Sequence, residues 1–378
     1  MRRKLLAKAL IIPLLTAFLL LAPLVGAAVV GEHRYAHAHP AYGQRLLAKI
    51  LGEEDVLGEC QEEDDFSALD GTTLDPISTG KTGGRINILV IGRDQIAGLT
   101  DVMMLLSLNP TDHSVGLLQI PRDTYAAYTR NSYRKINGAY ARLQGDGLTA
   151  FVRDNMAIPV DHYVCVNLSV LGEMVNAIGG VRLTIPQDMD YDDPEQGLHI
   201  HLKAGEQVLD GDTAKMFVRF RSGYAMADVG RMDAQKLFLS ALARQVKENL
   251  TIPQMITLIG QCFGKVKTNM SLRECIGCIK EMWKVDLSSL HMTTLPGGTA
   301  RMQGKSGAWY YILNREATVA LLERDVGLTG EFDPGRVFEG TGKPSFETIY
   351  QAPASAYTAH SYTAQEALDG DIHIKRIS

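Results

Sequence analysis

The stretch INILVIGRD, residues 86–94, opens the part of the chain that reads as a folded domain. Its aliphatic and β-branched side chains follow one another until Gly92, a pattern typical of a buried strand. Similar apolar runs follow over residues 102–108 and 114–120, with the turn signal Asn109-Pro110 between them. Strands and helices then alternate to about residue 249. The sequence therefore predicts an α/β fold, a layered α-β-α domain with a central mixed sheet.

Charged residues stand at the ends of these three runs. Asp94 follows the first run, Asp101 opens the second, and Arg122 follows the third. Adjacent strands can bring such ends to one rim of a sheet, so the three side chains are predicted to lie near one another. The alternative is that the aspartates are caps or turn formers, the usual role of an aspartate beside a turn.

A second polar cluster lies in RFRSGYAMADVGRMDAQ, residues 219–235. Arg219 and Arg221 are two positions apart, so in an extended chain both point to one face, and paired guanidinium groups suit phosphate oxygens. A helix is predicted over residues 228–249, and three polar residues recur on one of its faces: Asp228, Arg231 and Gln235. The segment predicts an anion site. The alternative is structural salt bridges on a solvated helix face.

Composition indicates an ordinary globular protein. The chain has 378 residues, of which 46% are hydrophobic, and these can form one large core or two smaller ones. The formal net charge is −5 and the pI about 6.1. These values argue against non-specific nucleic-acid binding, which requires a basic field to release counterions. The positive charge of the two clusters is therefore local.

The N-terminal part predicts a membrane anchor. Three cations fall within the first four residues, and residues 9–31 carry no charge. That length spans a bilayer, and the flanking cations place the N-terminus in the cytoplasm and the rest of the chain outside. Residues 1–31 are predicted as the anchor and residues 32–84, with their acidic run, as a stalk. A cleavable signal peptide is the alternative, because Gly26-Ala27-Ala28 is small.

Cysteine and histidine pairs raise the question of metal binding. The five cysteines are few for a disulfide scaffold. Cys275 and Cys278 have C-x-x-C spacing without a second pair to complete a zinc site. Either this pair is incidental or Cys262 forms a disulfide with one of the two. His199 and His201 lack an evident third ligand, so a metal site there is not favoured.

Eight motifs occur in one order along residues 85–249: GRD, TDVMML, IPRDTY, KINGAY, VDHYVCVNL, VNAIGGV, LDGDTAKMFVRFR and DVGRMDAQ. Together they resemble the LytR-CpsA-Psr family of cell-wall glycopolymer transferases. The resemblance implies a membrane-anchored phosphotransferase with an extracytoplasmic catalytic domain. Its donor would be a glycopolymer, such as wall teichoic acid or capsular polysaccharide, on a polyprenyl-pyrophosphate carrier. The phosphoglycosyl end would move to a peptidoglycan hydroxyl, releasing polyprenyl phosphate.

The resemblance also implies roles for individual residues. Asp94 and Asp101 match the family's Mg²⁺ ligands, with Mn²⁺ as the other candidate metal. The implied pyrophosphate-binding groups are Arg122, Arg219, Arg221, Arg231 and Gln235, with Lys135 as a further phosphate contact. The implied catalytic residues are Asp94, Asp101, Arg122 and Asp228. Of these, Asp228 would serve as a base or as a group that orients an arginine.

The chain departs from the family pattern at two positions. Gly98-Leu99-Thr100 precedes Asp101 where the family commonly has an arginine. Ala234 precedes Gln235 where the family often has another. One or two of the family's phosphate contacts are therefore predicted to be absent.

The flanking regions complete the predicted organisation. Residues 250–330 are predicted as a C-terminal appendage packed on the domain, and residues 331–378, which lack periodicity, as a disordered tail. Helices predicted at 146–157 and 168–178 could line a groove for the lipid, although their apolar residues fit plain core equally well. Two other functions stay open. One is hydrolysis of polyprenyl pyrophosphate by water; the other is a membrane-bound transcriptional attenuator, although no helix-turn-helix is visible.

Overall fold

The computed structural model describes residues 84–93, 100–126, 135–194, 197–224, 228–262, 266–302, 309–337, 346–349 and 361–370. The predicted anchor, nearly all of the predicted stalk, and Asp94 lie outside these ranges. Within them, no helix is both long enough and apolar enough to cross a bilayer.

Strands form the centre of the described structure. In chain order they are β1 Ile86–Arg93, β2 Thr100–Asn109, β3 Ser114–Gln119, β4 His162–Asn167, β5 Val181–Ile185, β6 Met189–Asp193, β7 Leu198–Leu202, β8 Gly205–Leu209, β9 Lys267–Thr268, β10 Leu290–Thr294, β11 Gly297–Met302, β12 Trp309–Leu313, β13 Phe346–Ile349 and β14 Tyr362–Thr363.

One seven-stranded mixed sheet has the strand order β14-β10-β3-β2-β1-β4-β9. β1 runs antiparallel to β2 and parallel to β4, while β3 runs antiparallel to β2 and parallel to β10. Both faces of β1 are buried, because Ile88 and Val90 pack in one core cluster and Leu89 and Ile91 in another. The mixed central sheet of the predicted α/β fold is confirmed.

Helices cover both faces of this sheet. They are α1 Ala139–Asn155, α2 Leu168–Ala177, α3 Gly211–Arg219, α4 Asp228–Asn249, α5 Ile252–Cys262, α6 Leu272–Met282, α7 Arg315–Arg324 and α8 Ala364–Asp369. α2, α3 and α4 pack on one face, whereas α1 and α7 pack on the other. The helix predicted over residues 228–249 has those bounds in the structure.

Residues 250–330 are not an appendage, because they supply strands of the central sheet. β9 pairs with β4 through Val164 and Thr268, and β10 pairs with β3 along its whole length. The boundary predicted after residue 249 therefore does not separate two bodies. Local periodicity shows that a segment is a strand, but the distant partner of that strand leaves no local signal.

The prediction of a disordered tail from residue 331 is wrong for residues 361–370. β14 extends the sheet edge by pairing with β10. A capping box between Thr363 and Glu366 starts α8, whose Ala364 and Ala367 are fully buried against α4. The helix in this segment is too short for its apolar residues to show a helical period in the sequence.

The paired cysteines and histidines do not form metal centres in the described ranges. Cys275 and Cys278 are buried free thiols, which agrees with an incidental pair and not with a disulfide to Cys262. His199 Nδ1 lies 2.6 Å from an aspartate oxygen of the neighbouring strand, and so does His201 Nδ1. No group of three His, Cys, Asp or Glu residues suited to a metal occurs among the described residues.

A buried lysine on α4 gives a test of stability. Lys247 is 8% exposed, its Nζ lacks a hydrogen-bond partner in the described structure, and Nζ lies 6.0 Å from the Trp283 ring centroid. Burial lowers the pKa of Lys247 to about 7, against the opposing charge of Asp286. Because the unfolded chain keeps this lysine protonated at higher pH than the folded chain does, the destabilising contribution of Lys247 decreases as the pH rises above 7.

Lys247→Met is therefore expected to raise the free energy of unfolding by about 1 kcal/mol at pH 7 or below, since it removes an unsatisfied buried charge. The gain should shrink towards pH 10, where the lysine is neutral in the folded state. Urea unfolding at pH 6, 7.5 and 9 measures it. A gain in unfolding free energy that stays constant across these pH values would contradict the lowered pKa of Lys247.

Candidate active site

A cavity lies between the sheet and the helices of the α2, α3 and α4 face. It encloses about 1100 Å³ of space that is partly open to solvent. Its apolar lining residues are Val90, Val102, Met104, Val166, Leu168, Leu171, Tyr191, Leu198, Val218, Phe238 and Leu239. Its charged lining residues are Arg93, Asp101, Arg122, Arg219, Arg221 and Arg231. Most of the apolar groups are buried, whereas all of the charged groups except Arg231 keep some solvent exposure. The cavity is thus amphiphilic, with charge at its open end.

One of the two predicted groove helices lines this cavity. α2 contributes Leu168 and Leu171. The helix predicted over 146–157 belongs to α1, whose Leu148 and Val152 pack in the core cluster on the opposite face of the sheet. Apolar periodicity shows which face of a helix is buried, but it cannot show which face of a sheet covers that helix.

Four charged residues from different elements meet at the open end. Asp101 is the second residue of β2, and Arg122 lies shortly after the end of β3. Asp228 and Arg231 lie in the first turn of α4. Arg122 Nη1 donates to Asp101 Oδ1 at 2.7 Å, and Arg122 Nε lies 3.3 Å from Asp228 Oδ1. Arg231 Nη2 lies 2.8 Å from the same Asp228 oxygen. The structure therefore brings Asp101 and Arg122 of the strand-end cluster together with Asp228 and Arg231 of the helix face.

Burial and the neighbouring carboxylates act in opposite directions on the pKa values of the two arginines. Burial opposes the charge of Arg122, but Asp228 and Asp101 outweigh it and raise the pKa of Arg122 above its usual value. Burial lowers the pKa of Arg231, against the nearby charge of Asp228. Arg231 and Gln235 are only 4% and 5% exposed, so the alternative of a solvated helix face is wrong for these two residues.

Asp228 is placed to orient arginines. One of its carboxylate oxygens lies within ion-pair distance of both Arg122 and Arg231. An oxygen that contacts two guanidinium groups is placed to hold both of them in a fixed position. Of the two roles that the sequence left open, this geometry favours the orienting role over the base.

Arg219 and Arg221 reach the cavity by a different local geometry from the one predicted. Arg219 is the last residue of α3, and Phe220 then turns the backbone to an extended conformation before Arg221. The pair is therefore not part of one extended strand, although both side chains line the cavity. Arg221 is exposed and Arg219 is half-buried.

A buried relay of amides holds the end of α3. Gln235 Nε2 donates to the Val218 carbonyl at 3.0 Å, and Gln119 Nε2 donates to Gln235 Oε1 at 3.3 Å. Val218 immediately precedes Arg219, so the relay ties β3 and α4 to the arginine segment. Gln235 keeps one amide hydrogen for a ligand. Sequence reasoning missed Gln119, whose signal was a polar residue inside the apolar run 114–120.

The remaining predicted residues lie beside the cavity or outside the described ranges. Lys135 Nζ lies 2.9 Å from Asp123 Oδ1 and 5.8 Å from the Tyr310 ring centroid, and Lys135 is not among the lining residues. Asp94 follows β1 directly but lies outside the described residues. The structure therefore gives no distance between Asp94 and Asp101.

Comparison with known proteins finds a teichoic acid transferase among the relatives of this chain. The chain is 30% identical over 197 residues to the polyisoprenyl-teichoic acid–peptidoglycan teichoic acid transferase TagV of Bacillus subtilis, covering 50% of each chain. The chain thus spans about half the length of that relative.

Solved structures of similar proteins share the fold. The crystal structure of B. subtilis TagV has a TM-score of 0.53 and 25% identity, covering 64% of this chain and 97% of that one. The structure of TagT bound to LIIa-WTA has a TM-score of 0.51 and 25% identity, covering 71% and 95%. The model of the LytR_cpsA_psr family matches residues 55–325, which is most of the chain. By that match, the chain belongs to the LytR_cpsA_psr family.

Proposed function

We propose that this chain transfers a glycopolymer of the teichoic-acid or capsular-polysaccharide type from a polyprenyl-pyrophosphate carrier to a peptidoglycan hydroxyl. The observation that carries the proposal is the amphiphilic cavity, in which an arginine-rich opening leads to a buried apolar interior. A prenyl pyrophosphate has the same two parts, a diphosphate for the arginines and a hydrocarbon tail for the apolar wall. The name of the relative TagV and the TagT complex support this donor and acceptor.

The reaction breaks one bond of the diphosphate and makes one bond to the acceptor. The acceptor hydroxyl oxygen bonds to the phosphorus that carries the glycopolymer. The bridging oxygen leaves with the lipid as polyprenyl phosphate, and the hydroxyl proton passes to the released phosphate or to solvent. Arg122, Arg231, Arg219 and Arg221 neutralise the charge on the phosphoryl oxygens. Phosphoryl transfer depends mainly on such positioning and charge stabilisation.

A magnesium ion, or manganese in its place, is the proposed metal. Magnesium is commonly held by one or two carboxylates together with substrate phosphates and water. Asp101 fits this need, because it lines the cavity and is 28% exposed in its side chain. Asp94 would be the second ligand by family resemblance. When bound, the metal would add positive charge against the diphosphate.

The proposed location is the cell membrane, with the N-terminus in the cytoplasm and the catalytic domain outside. The support is the cation-flanked apolar stretch of residues 9–31. Protease added to intact cells should digest the catalytic domain, and protection of that domain would overturn the topology.

A reconstituted assay tests the function. A polyprenyl-pyrophosphate-linked teichoic acid precursor is incubated with the full chain, with and without peptidoglycan oligomers. A phosphodiester-linked conjugate that needs the acceptor is the expected product. Release of polyprenyl phosphate at the same rate without acceptor would instead indicate a hydrolase. If the donor stays intact in both reactions, the enzymatic proposal fails. That result would favour the alternative of a membrane-bound transcriptional attenuator.

A further inference from the structure

A buried ion pair lies on α4 outside the cavity. Lys236 Nζ lies 2.9 Å from Asp233 Oδ1, and the side chains of the two residues are 0% and 1% exposed. Neither residue is among those that line the cavity. Burial lowers the pKa of Lys236, against the charge of Asp233. Because two charges are costly to remove from water, and a hydrophobic pair of similar volume is often as stable, stability alone does not explain this pair.

The C-terminal segment, residues 361–370, contacts this pair through Tyr362. Lys236 Nζ lies 5.3 Å from the centroid of the Tyr362 ring, and Tyr362 is only 5% exposed. Tyr362 belongs to β14 and pairs with Met292 of β10, while α8 packs directly on α4. The attraction between an ammonium group and the face of an aromatic ring depends on their relative position. The contact therefore favours one rotation of α4 about its axis.

The cavity residues of α4 depend on the same rotation. Gln235 precedes Lys236 and lies about 100° from it around the helix axis. Gln235 Nε2 donates to the Val218 carbonyl at 3.0 Å, so this side of α4 faces the end of α3. Arg231, one turn earlier, reaches the charged opening of the cavity. The contact of Lys236 with Tyr362 and that of Gln235 with α3 thus hold α4 from two directions.

We propose that Tyr362 and the Asp233–Lys236 pair fix the rotation of α4 and thereby position Arg231 and Gln235 at the cavity. The C-terminal segment would act on the reaction without contacting the substrate. The inference rests on the proposed function, because it assumes that these two residues of α4 bind the diphosphate of the donor.

Single-turnover transfer rates of the full chain with the lipid-linked donor test this role. Tyr362→Leu is expected to lower the rate by about threefold to thirtyfold, the range for a change that shifts a catalytic group from a distance. Tyr362→Phe should keep the wild-type rate, because it keeps the aromatic ring beside the ammonium group. Leu368→Ala is the matched control, because Leu368 packs on the core from the same segment and this change leaves Tyr362 in place. It should lower the melting temperature and not the rate.

A double-mutant cycle separates positioning from plain packing. If Tyr362 acts through the cavity residues of α4, Tyr362→Leu should cost a smaller factor in the Gln235→Ala background than in the wild type. The same factor in both backgrounds would overturn the proposal, and so would a wild-type rate in folded Tyr362→Leu. If Tyr362→Leu does not fold, the double variant Asp233→Leu with Lys236→Met replaces it, because joint removal of a buried ion pair is often tolerated. A wild-type rate in that variant would equally refute the proposal.

Arg231→Gln and Gln235→Ala in the same assay separate this inference from the proposed function. If both variants are slow while Tyr362→Leu is normal, the cavity stands as the reaction site and only the positioning role is wrong. If both variants transfer the glycopolymer at the wild-type rate, these residues do not bind the donor, and the site of the proposed function is itself wrong.

Discussion

Arg122→Gln is expected to lower the rate of glycopolymer transfer by about a hundredfold to a thousandfold, the range for removing one charge-stabilising group from a preorganised site. Arg122 contacts Asp101 at 2.7 Å and Asp228 at 3.3 Å. Without this guanidinium, both carboxylates would face the ligand's diphosphate with Arg231 as their nearest remaining cation. The change therefore removes a positive charge and uncovers negative ones. Single-turnover rates with the lipid-linked donor measure the loss.

Arg142→Gln is the matched control, because Arg142 is exposed on α1 and undergoes the same change of charge, and this variant should keep the wild-type rate. Thermal unfolding of each variant separates a catalytic loss from a folding defect. A folded Arg122→Gln variant with a normal rate would show that the network of Asp101, Arg122, Asp228 and Arg231 has only a structural role. Charge stabilisation would then rest on Arg219 and Arg221.

Combining Asp228→Asn with Arg122→Gln tests whether Asp228 orients arginines or acts as a base. If Asp228 orients arginines, Asp228→Asn should cost much less in the Arg122→Gln background than in the wild type, because partners in one network are not additive. If Asp228 is the base, its loss should cost the same factor in both backgrounds. The pH profile gives a second readout, since removal of a base would abolish the acidic limb of the profile.

The sequence predicted the parts of the fold that carry a long, uniform pattern. The apolar run that begins at Ile86 became β1, and the polar face within the helix predicted at 228–249 became the wall of the cavity. The edge of the sheet could not be predicted in the same way. β9 and β14 are two residues long, and their partner strands, β4 and β10, lie far from them in the chain.

The candidate site shows the same division. Charge and spacing identified Arg122, Arg219, Arg221 and Arg231, because guanidinium groups are conspicuous and suit phosphate. Gln119 was missed, because a single amide in an apolar run is noticed only when its partner Gln235 is known. Lys135 was grouped with the phosphate contacts by resemblance; in the structure it forms an ion pair with Asp123 and does not line the cavity. Contacts between distant residues decided each of these outcomes.

The amide relay and the ion network connect the two arginine groups. Gln235 lies one turn after Arg231 on α4 and holds the carbonyl of Val218, the residue before Arg219. A shift of α4 would therefore move the helix-borne arginine and the segment that carries Arg219 and Arg221 together. Such rigid support from packed elements is what a preorganised charge-stabilising site requires.

Asp101→Asn is expected to lower the transfer rate by about a hundredfold or more, by comparison with other charge-stabilising groups. The change keeps the shape of the side chain and removes its charge. Thermal unfolding should show that the variant still folds, because asparagine keeps the shape of the side chain and Asp101 is partly exposed. Loss of rate alone does not separate two roles, since Asp101 is a proposed metal ligand and also a partner of Arg122.

A magnesium titration separates these roles. If Asp101 holds the metal, Asp101→Asn should raise the magnesium concentration for half-maximal rate by about tenfold or more, at least the effect of losing an outer-shell group. Chelator should abolish the wild-type rate, and added magnesium should restore it. If Asp101 only orients Arg122, the magnesium dependence stays unchanged and Asp101→Asn adds little to Arg122→Gln. Asp94→Asn resolves the remaining ambiguity, because a shared metal requires both variants to shift the magnesium dependence in the same direction. A rate that persists in excess chelator would remove the metal from the mechanism and leave the arginines as the source of charge stabilisation.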